Sequence, residues 1–135
     1  MSFAYPLTGI VTLLTIVVYF QMSLKVSQAR TRHNVPPPAM SGPEEFMRIM
    51  RVHENTLEGL MMFLPALWLF AVSTQDLWAA VIGAAYPIGR LLYARGYYEE
   101  ASKRGRGFLI GFLSTAILLV GGLLALSVIA FKTYG

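Results

Sequence analysis

The chain has 135 residues and no cysteine, with 56% hydrophobic residues, 13% charged residues and a mean hydropathy of +0.56. A soluble domain of this size carries roughly twice that share of charge, so one membrane-embedded domain is expected. The missing cysteine excludes disulfides, thiolate metal sites, covalent haem and a cysteine nucleophile, and the net charge of +4 gathers in two segments between apolar runs, which favours a membrane over nucleic acid.

In chain order, the first uncharged run is Phe3 to Leu24, 22 residues, and about 20 suffice to span a bilayer. It has no basic segment ahead of it, and Gln21-Met22-Ser23-Leu24-Lys25 has no small-residue cleavage pattern, so it reads as a retained helix over about 3–32 and not as a signal peptide. Asn34 to Gly42 forms a loop stiffened by Pro36, Pro37 and Pro38. Ser41 or Gly42 is expected to start a second helix over about 43–72, with Glu44 placed for a capping box. Its uncharged run, Gly59 to Gln75, has 17 residues.

Ser73 to Asp76 makes a tight turn and is expected to cap a third helix over 76–99. The apolar run Leu77 to Gly89 has only 13 residues and cannot span alone. Helices 2 and 3 can each gain length through proline-free polar extensions, Glu44 to Glu58 and Arg90 to Tyr98. The charged ends must then face protein or water. The fourth run, Gly107 to Phe131, has 25 residues inside a helix over about 104–132 that begins after the SKRGRG break, and Gly121-Gly122 permits close helix contact there. The expectation is all-α: one integral membrane domain, an antiparallel four-helix bundle. Of the eleven Lys and Arg, only Lys132 lies at the end opposite the two polar segments, which predicts those segments cytosolic and both termini across the membrane.

Arg48, Arg51, Asn55 and Glu58 fall within an arc of about 80° on helix 2, at about 100° per residue. Such a stripe needs a partner, because an ionisable group at depth is costly unless paired or hydrated. An interhelical salt-bridge network is one reading. His53 points about 200° away from Arg51, either to an interfacial environment or toward a neighbouring subunit. Helix 3 offers Arg90, Tyr93 and Tyr97 on one face, and Arg104 follows at the start of helix 4. Tyrosines at this depth also serve as interfacial belt residues. Together these groups form a pocket suited to a small anion that also carries an amine, since guanidinium forks hold carboxylates. No metal cluster, Walker motif, GxGxxG or GxSxG is present.

The segment Arg51-Val-His-Glu-Asn55-Thr-Leu-Glu58 resembles the RxxxNxxE pattern of the MAPEG superfamily of membrane glutathione-using proteins. Arg90-Leu-Leu-Tyr93-Ala-Arg-Gly-Tyr97 is similar to its RxxYxxGY segment. The loop Val35-Pro-Pro-Pro38, with Gly42-Pro43-x-Glu45-Phe46, resembles the branch holding leukotriene C synthase and microsomal glutathione transferase 2. The resemblance implies a homotrimer with glutathione as cosubstrate between subunits and no metal cofactor. It further implies that Arg51, Asn55, Glu58, Arg90, Tyr93 and Tyr97, with Arg30 and His53, hold glutathione, and that Arg104 stabilises its thiolate. Two departures accompany it: Thr31 stands where leukotriene C synthase has a second arginine, and Gly59 where it has tyrosine. These favour a general glutathione transferase, possessing conjugating or hydroperoxide-reducing activity, over a dedicated leukotriene synthase.

A lipophilic electrophile is expected to enter from the bilayer beside helices 1 and 4, near Leu24, Leu109 and Phe112. The alternatives are a non-catalytic lipid-binding scaffold of the same family and a four-helix multidrug transporter, which would want a midplane carboxylate in helix 1. The membrane is either bacterial inner membrane or endoplasmic reticulum.

Overall fold

The computed structural model describes residues 2–135 and consists of four long helices: α1 (Pro6–His33), α2 (Glu44–Ser73), α3 (Asp76–Glu99) and α4 (Gly105–Tyr134), with a 3-10 turn over Ala101–Arg104 before α4. Each helix is long and apolar enough to cross a membrane. The 24 residues of α3 reach about 36 Å at 1.5 Å per residue, so the run that is too short alone spans because the helix continues through Arg90. Large apolar side chains such as Leu13, Val17, Phe20, Leu119 and Leu123 point outward. This is an integral, multi-pass membrane protein.

Helix α3 lies at the centre of the packing, touching α1, α2 and α4, while α2 also packs on α1 and α4. The largest buried cluster joins Val11, Phe63, Leu67, Phe70, Tyr86 and Leu118. A second, at the loop end, joins Val26, Ala29, Phe46 and Ile49. Small residues set the closest approaches. A Cβ on Gly107 would collide with the Tyr93 backbone, and one on Gly121 would lie 2.7 Å from the Phe70 ring. The Gly121 contact was expected; the tighter one at Gly107 was not. Both α2 and α3 run through an internal proline, Pro65 and Pro87, which a membrane helix tolerates when neighbours supply partners. Near Pro87, Ser114 Oγ donates to the Ile82 carbonyl at 2.7 Å.

Capping differs from the expectations. Helix α2 starts at Glu44, with Pro43 at its N-cap in an extended conformation and no side-chain cap; Glu44 and Glu45 instead complement the helix dipole from the first turn. Ser73 and Thr74 donate their hydroxyls back to Leu69 and Phe70 carbonyls at 2.6 Å each, so they close α2 and do not open α3. Asp76 serves another helix. Its carboxylate accepts from the Leu7 and Thr8 amides at 3.0 and 2.8 Å and from the Thr8 hydroxyl at 2.7 Å, satisfying amides that the first turn of α1 leaves without helical partners. Helix α1 accordingly starts at Pro6, three residues later than expected, with proline in the first turn where its missing N–H costs nothing. The proline loop is folded and not a rod: Arg30 Nη1 donates to the carbonyls of Val35 at 3.1 Å and Ala39 at 2.7 Å.

Candidate functional site

At the loop end of the bundle, α2, α3, the 3-10 turn and the start of α4 enclose a groove of about 720 Å³. Arg51, Asn55, Tyr93, Tyr97 and Arg104 all line it, together with Ser102, Gly105 and Phe108. Its shape follows from local sequence. Gly96 lets the chain fold back after α3, because a Cβ there would strike the Lys103 carbonyl. That return carries Arg104 over the Tyr97 ring, 5.6 Å from its centroid, with Nη1 donating to the Ala101 carbonyl at 2.5 Å. Tyr97 meets Tyr93 edge to face at 5.6 Å.

The floor is held by a buried arginine. Arg90 is 4% exposed and donates to Thr56 Oγ1 from Nε at 3.2 Å and Nη2 at 2.9 Å, and to Asn55 Oδ1 from Nη2 at 2.8 Å. Its guanidinium also sits 3.9 Å from the Tyr93 ring centroid, a favourable cation–π arrangement. These contacts lock α2 to α3 and aim Asn55 at the groove. Arg51, 45% exposed, pairs with Glu58 at 3.0 Å and Glu54 at 3.4 Å along its own helix face. The helix-2 stripe is therefore split: Asn55 bonds Arg90 of α3, Arg48 Nε reaches the Tyr98 carbonyl at 3.3 Å, and Arg51 lines the groove while its partner Glu58 does not.

A second, apolar cleft of about 390 Å³ lies between α2, α3 and α4. Asn55 and Phe108 line both spaces, so the polar groove and the apolar cleft are neighbours. Glu58, Arg90 and Phe112 line the cleft. Leu24 and Leu109 line neither space and are exposed on the outer surfaces of α1 and α4.

Of the expected glutathione contacts, Glu58 and Arg90 line this cleft and not the groove, and two more lie apart from both spaces. His53 is stacked on Tyr19, with centroids 4.8 Å apart, and its Nε2 is 3.0 Å from Ser23 Oγ. Arg30 holds the proline loop and sits 5.3 Å from the Phe46 ring centroid. Both are on the α1–α2 side of the protomer.

Comparison with known proteins joins this geometry to a family: residues 8–124 match the MAPEG family. The chain belongs to the MAPEG family. An uncharacterized protein of Synechocystis sp. is 47% identical over 87% of this chain and 86% of its own length. Human microsomal glutathione S-transferase 2 is 35% identical over 78% of this chain and 71% of its own. The guinea-pig (Cavia porcellus) leukotriene C4 synthase is 39% identical over 73% and 65% respectively.

This MAPEG chain also uses residues that sequence reading passed over. Thr56 is one; its only signal was adjacency to Asn55, and a threonine in a helix normally bonds its own backbone. Tyr86 is another, 3% exposed at the cleft wall. It lies one turn before Arg90, a spacing that in isolation reads as core.

Proposed function

We propose that this MAPEG protein is a membrane glutathione transferase that ionises the glutathione thiol and directs it at lipophilic electrophiles, including lipid hydroperoxides. One observation carries the reading. A groove lined by Arg51, Asn55, Tyr93, Tyr97 and Arg104 adjoins an apolar cleft through Asn55 and Phe108, so a charged tripeptide and a lipid-soluble acceptor have adjacent seats.

In this reading Arg51 exchanges Glu58 for a glutathione carboxylate, Asn55 bonds a peptide group, and Tyr93 and Tyr97 wall the backbone. Arg90 positions Asn55 and Tyr93 and does not touch the ligand. Arg104 lies beside the sulfur, where a guanidinium favours the thiolate and lowers the thiol pKa. In conjugation the thiolate pair forms a C–S bond as the leaving group departs with its electrons. In peroxide reduction the thiolate attacks the terminal oxygen, the O–O bond breaks, and the lipid leaves as an alcohol once protonated; a second glutathione then converts the sulfenic acid to disulfide and water.

The α1–α2 face bearing Arg30 and His53 belongs, in this reading, to a homotrimer interface, so that a neighbouring subunit brings those two residues to the groove. The polar loops, rich in Lys and Arg, lie in the cytosol by the positive-inside rule. The test is spectroscopic. Purified protein saturated with glutathione is expected to show the thiolate absorbance, and a spectrum unchanged at saturation removes the transferase reading.

A further inference from the structure

The apolar cleft contains one buried hydroxyl with no partner. The Tyr86 ring stacks on Phe63, with centroids 4.0 Å apart and planes within 8°, which fixes it against α2. Its Oη is buried and makes no hydrogen bond to any described residue, although a buried tyrosine hydroxyl usually finds a partner. Other polar groups of the wall are engaged: Thr115 Oγ1 donates to Gly111 at 3.1 Å, Asn55 Oδ1 accepts from Arg90, and Glu58 holds Arg51. Gly59, which lines the cleft with Tyr86, explains how the hydroxyl fits there. A Cβ at position 59 would lie 2.5 Å from Tyr86 Oη, so any larger residue there would displace it. Gly59 and Tyr86 therefore form a matched pair, one withholding volume where the other presents a donor.

We propose that the Tyr86 hydroxyl is the polar recognition point of the apolar cleft, donating a hydrogen bond to an oxygen carried on the chain of a lipophilic acceptor such as an oxidised fatty acid. This deepens the transferase reading by naming a residue that selects among lipophilic acceptors, and it rests on that reading for the cleft's role. A site with an unpaired buried donor favours ligands that supply the acceptor, because a ligand lacking it leaves the group unsatisfied.

The test uses the full chain in nanodiscs and a matched pair of probes, a mid-chain hydroxylated long-chain fatty acid and its unsubstituted parent, each competing with a fluorescent fatty acid. The unmodified chain is expected to prefer the hydroxylated probe by about twofold to tenfold, the range for one net hydrogen bond. Tyr86→Phe keeps the ring stack and is expected to bring the ratio to parity, and Gly59→Ala to reduce it by moving the hydroxyl. Glutathione thiolate absorbance, unchanged in Tyr86→Phe, reports that the groove is folded. A chain without the preference overturns the proposal. So does a Tyr86→Phe variant that keeps the preference, or one that gains thermal stability at an unaltered ratio, which would put the hydroxyl in dry protein. Absence of thiolate in the unmodified chain sinks the transferase reading instead, and the probe ratio is read independently of it.

Discussion

The Thr56 hydroxyl accepts two hydrogen bonds from the Arg90 guanidinium, from Nε at 3.2 Å and Nη2 at 2.9 Å, with both residues buried. An arginine in the middle of a membrane helix is tolerated because α2 offers it an oxygen acceptor on each of two successive residues, Asn55 and Thr56. Thr56→Val keeps the shape and removes the acceptor. It is expected to lower stability by about 1–2 kcal/mol, measured as thermal unfolding in detergent, and to weaken glutathione binding because Asn55 then carries the guanidinium alone. Unaltered unfolding would show that Arg90 is satisfied without Thr56.

Arg104→Ala is expected to abolish the thiolate absorbance while glutathione, measured by calorimetry, still binds. Arg104 reaches the groove from the 3-10 turn and packs on Tyr97, so its loss removes a charge without opening a helix interface. Equal loss of binding and ionisation would make it a binding group.

Arg51→Ala is expected to weaken glutathione binding by about 1.5 kcal/mol, the low end for a hydrogen bond to a charged group. The low end applies because Arg51 gives up its Glu58 partner, at 3.0 Å, when it takes the ligand. An affinity equal to that of the unmodified chain would return Arg51 to a surface pair.

Asp76→Ala is expected to lower the unfolding temperature and to raise hydrogen exchange at Leu7 and Thr8, whose amides the carboxylate accepts. Asp76→Asn retains one acceptor oxygen and is expected to lose less. Exchange confined to α3 would mean that the carboxylate caps its own helix.

Gly107→Ala is expected to destabilise by about 1–3 kcal/mol through overpacking, since the added methyl would meet Tyr93 N and the Gly89 carbonyl. Gly105→Ala, where the added carbon meets nothing within 4 Å, is expected to be neutral or slightly stabilising. Similar thermal shifts for both would deny the close α3–α4 contact.

Much of the bundle was legible in the chain. The charge of Arg90 and the brevity of Leu77 to Gly89 required α3 to be sheltered, and α3, like α2, packs against all three other helices. The wheel positions of Arg90, Tyr93 and Tyr97 put them on one face, and they do meet around a shared floor. Helical periodicity says which residues share a face but not which face meets which. His53 and Arg30 show the difference: the residue types suit an anion, yet within the protomer one is stacked on Tyr19 and the other folded onto its own loop.

Capping was misread for the same reason. Ser73, Thr74 and Asp76 are good capping residues by type, but the hydroxyls turned back to α2 and the carboxylate crossed to α1, a choice made by the distance between chain segments 68 and 69 residues apart in sequence. The sequence by itself determined four membrane helices, a polar end rich in arginine and a family motif, because hydrophobic run length, charge and local spacing are properties of neighbouring residues. Only the tertiary structure decided that Arg90 is a clasp on Thr56, that Gly59 yields its space to Tyr86, and that the polar groove borders an apolar cleft. Those depend on which helix faces pack together, and packing is settled by the whole chain at once.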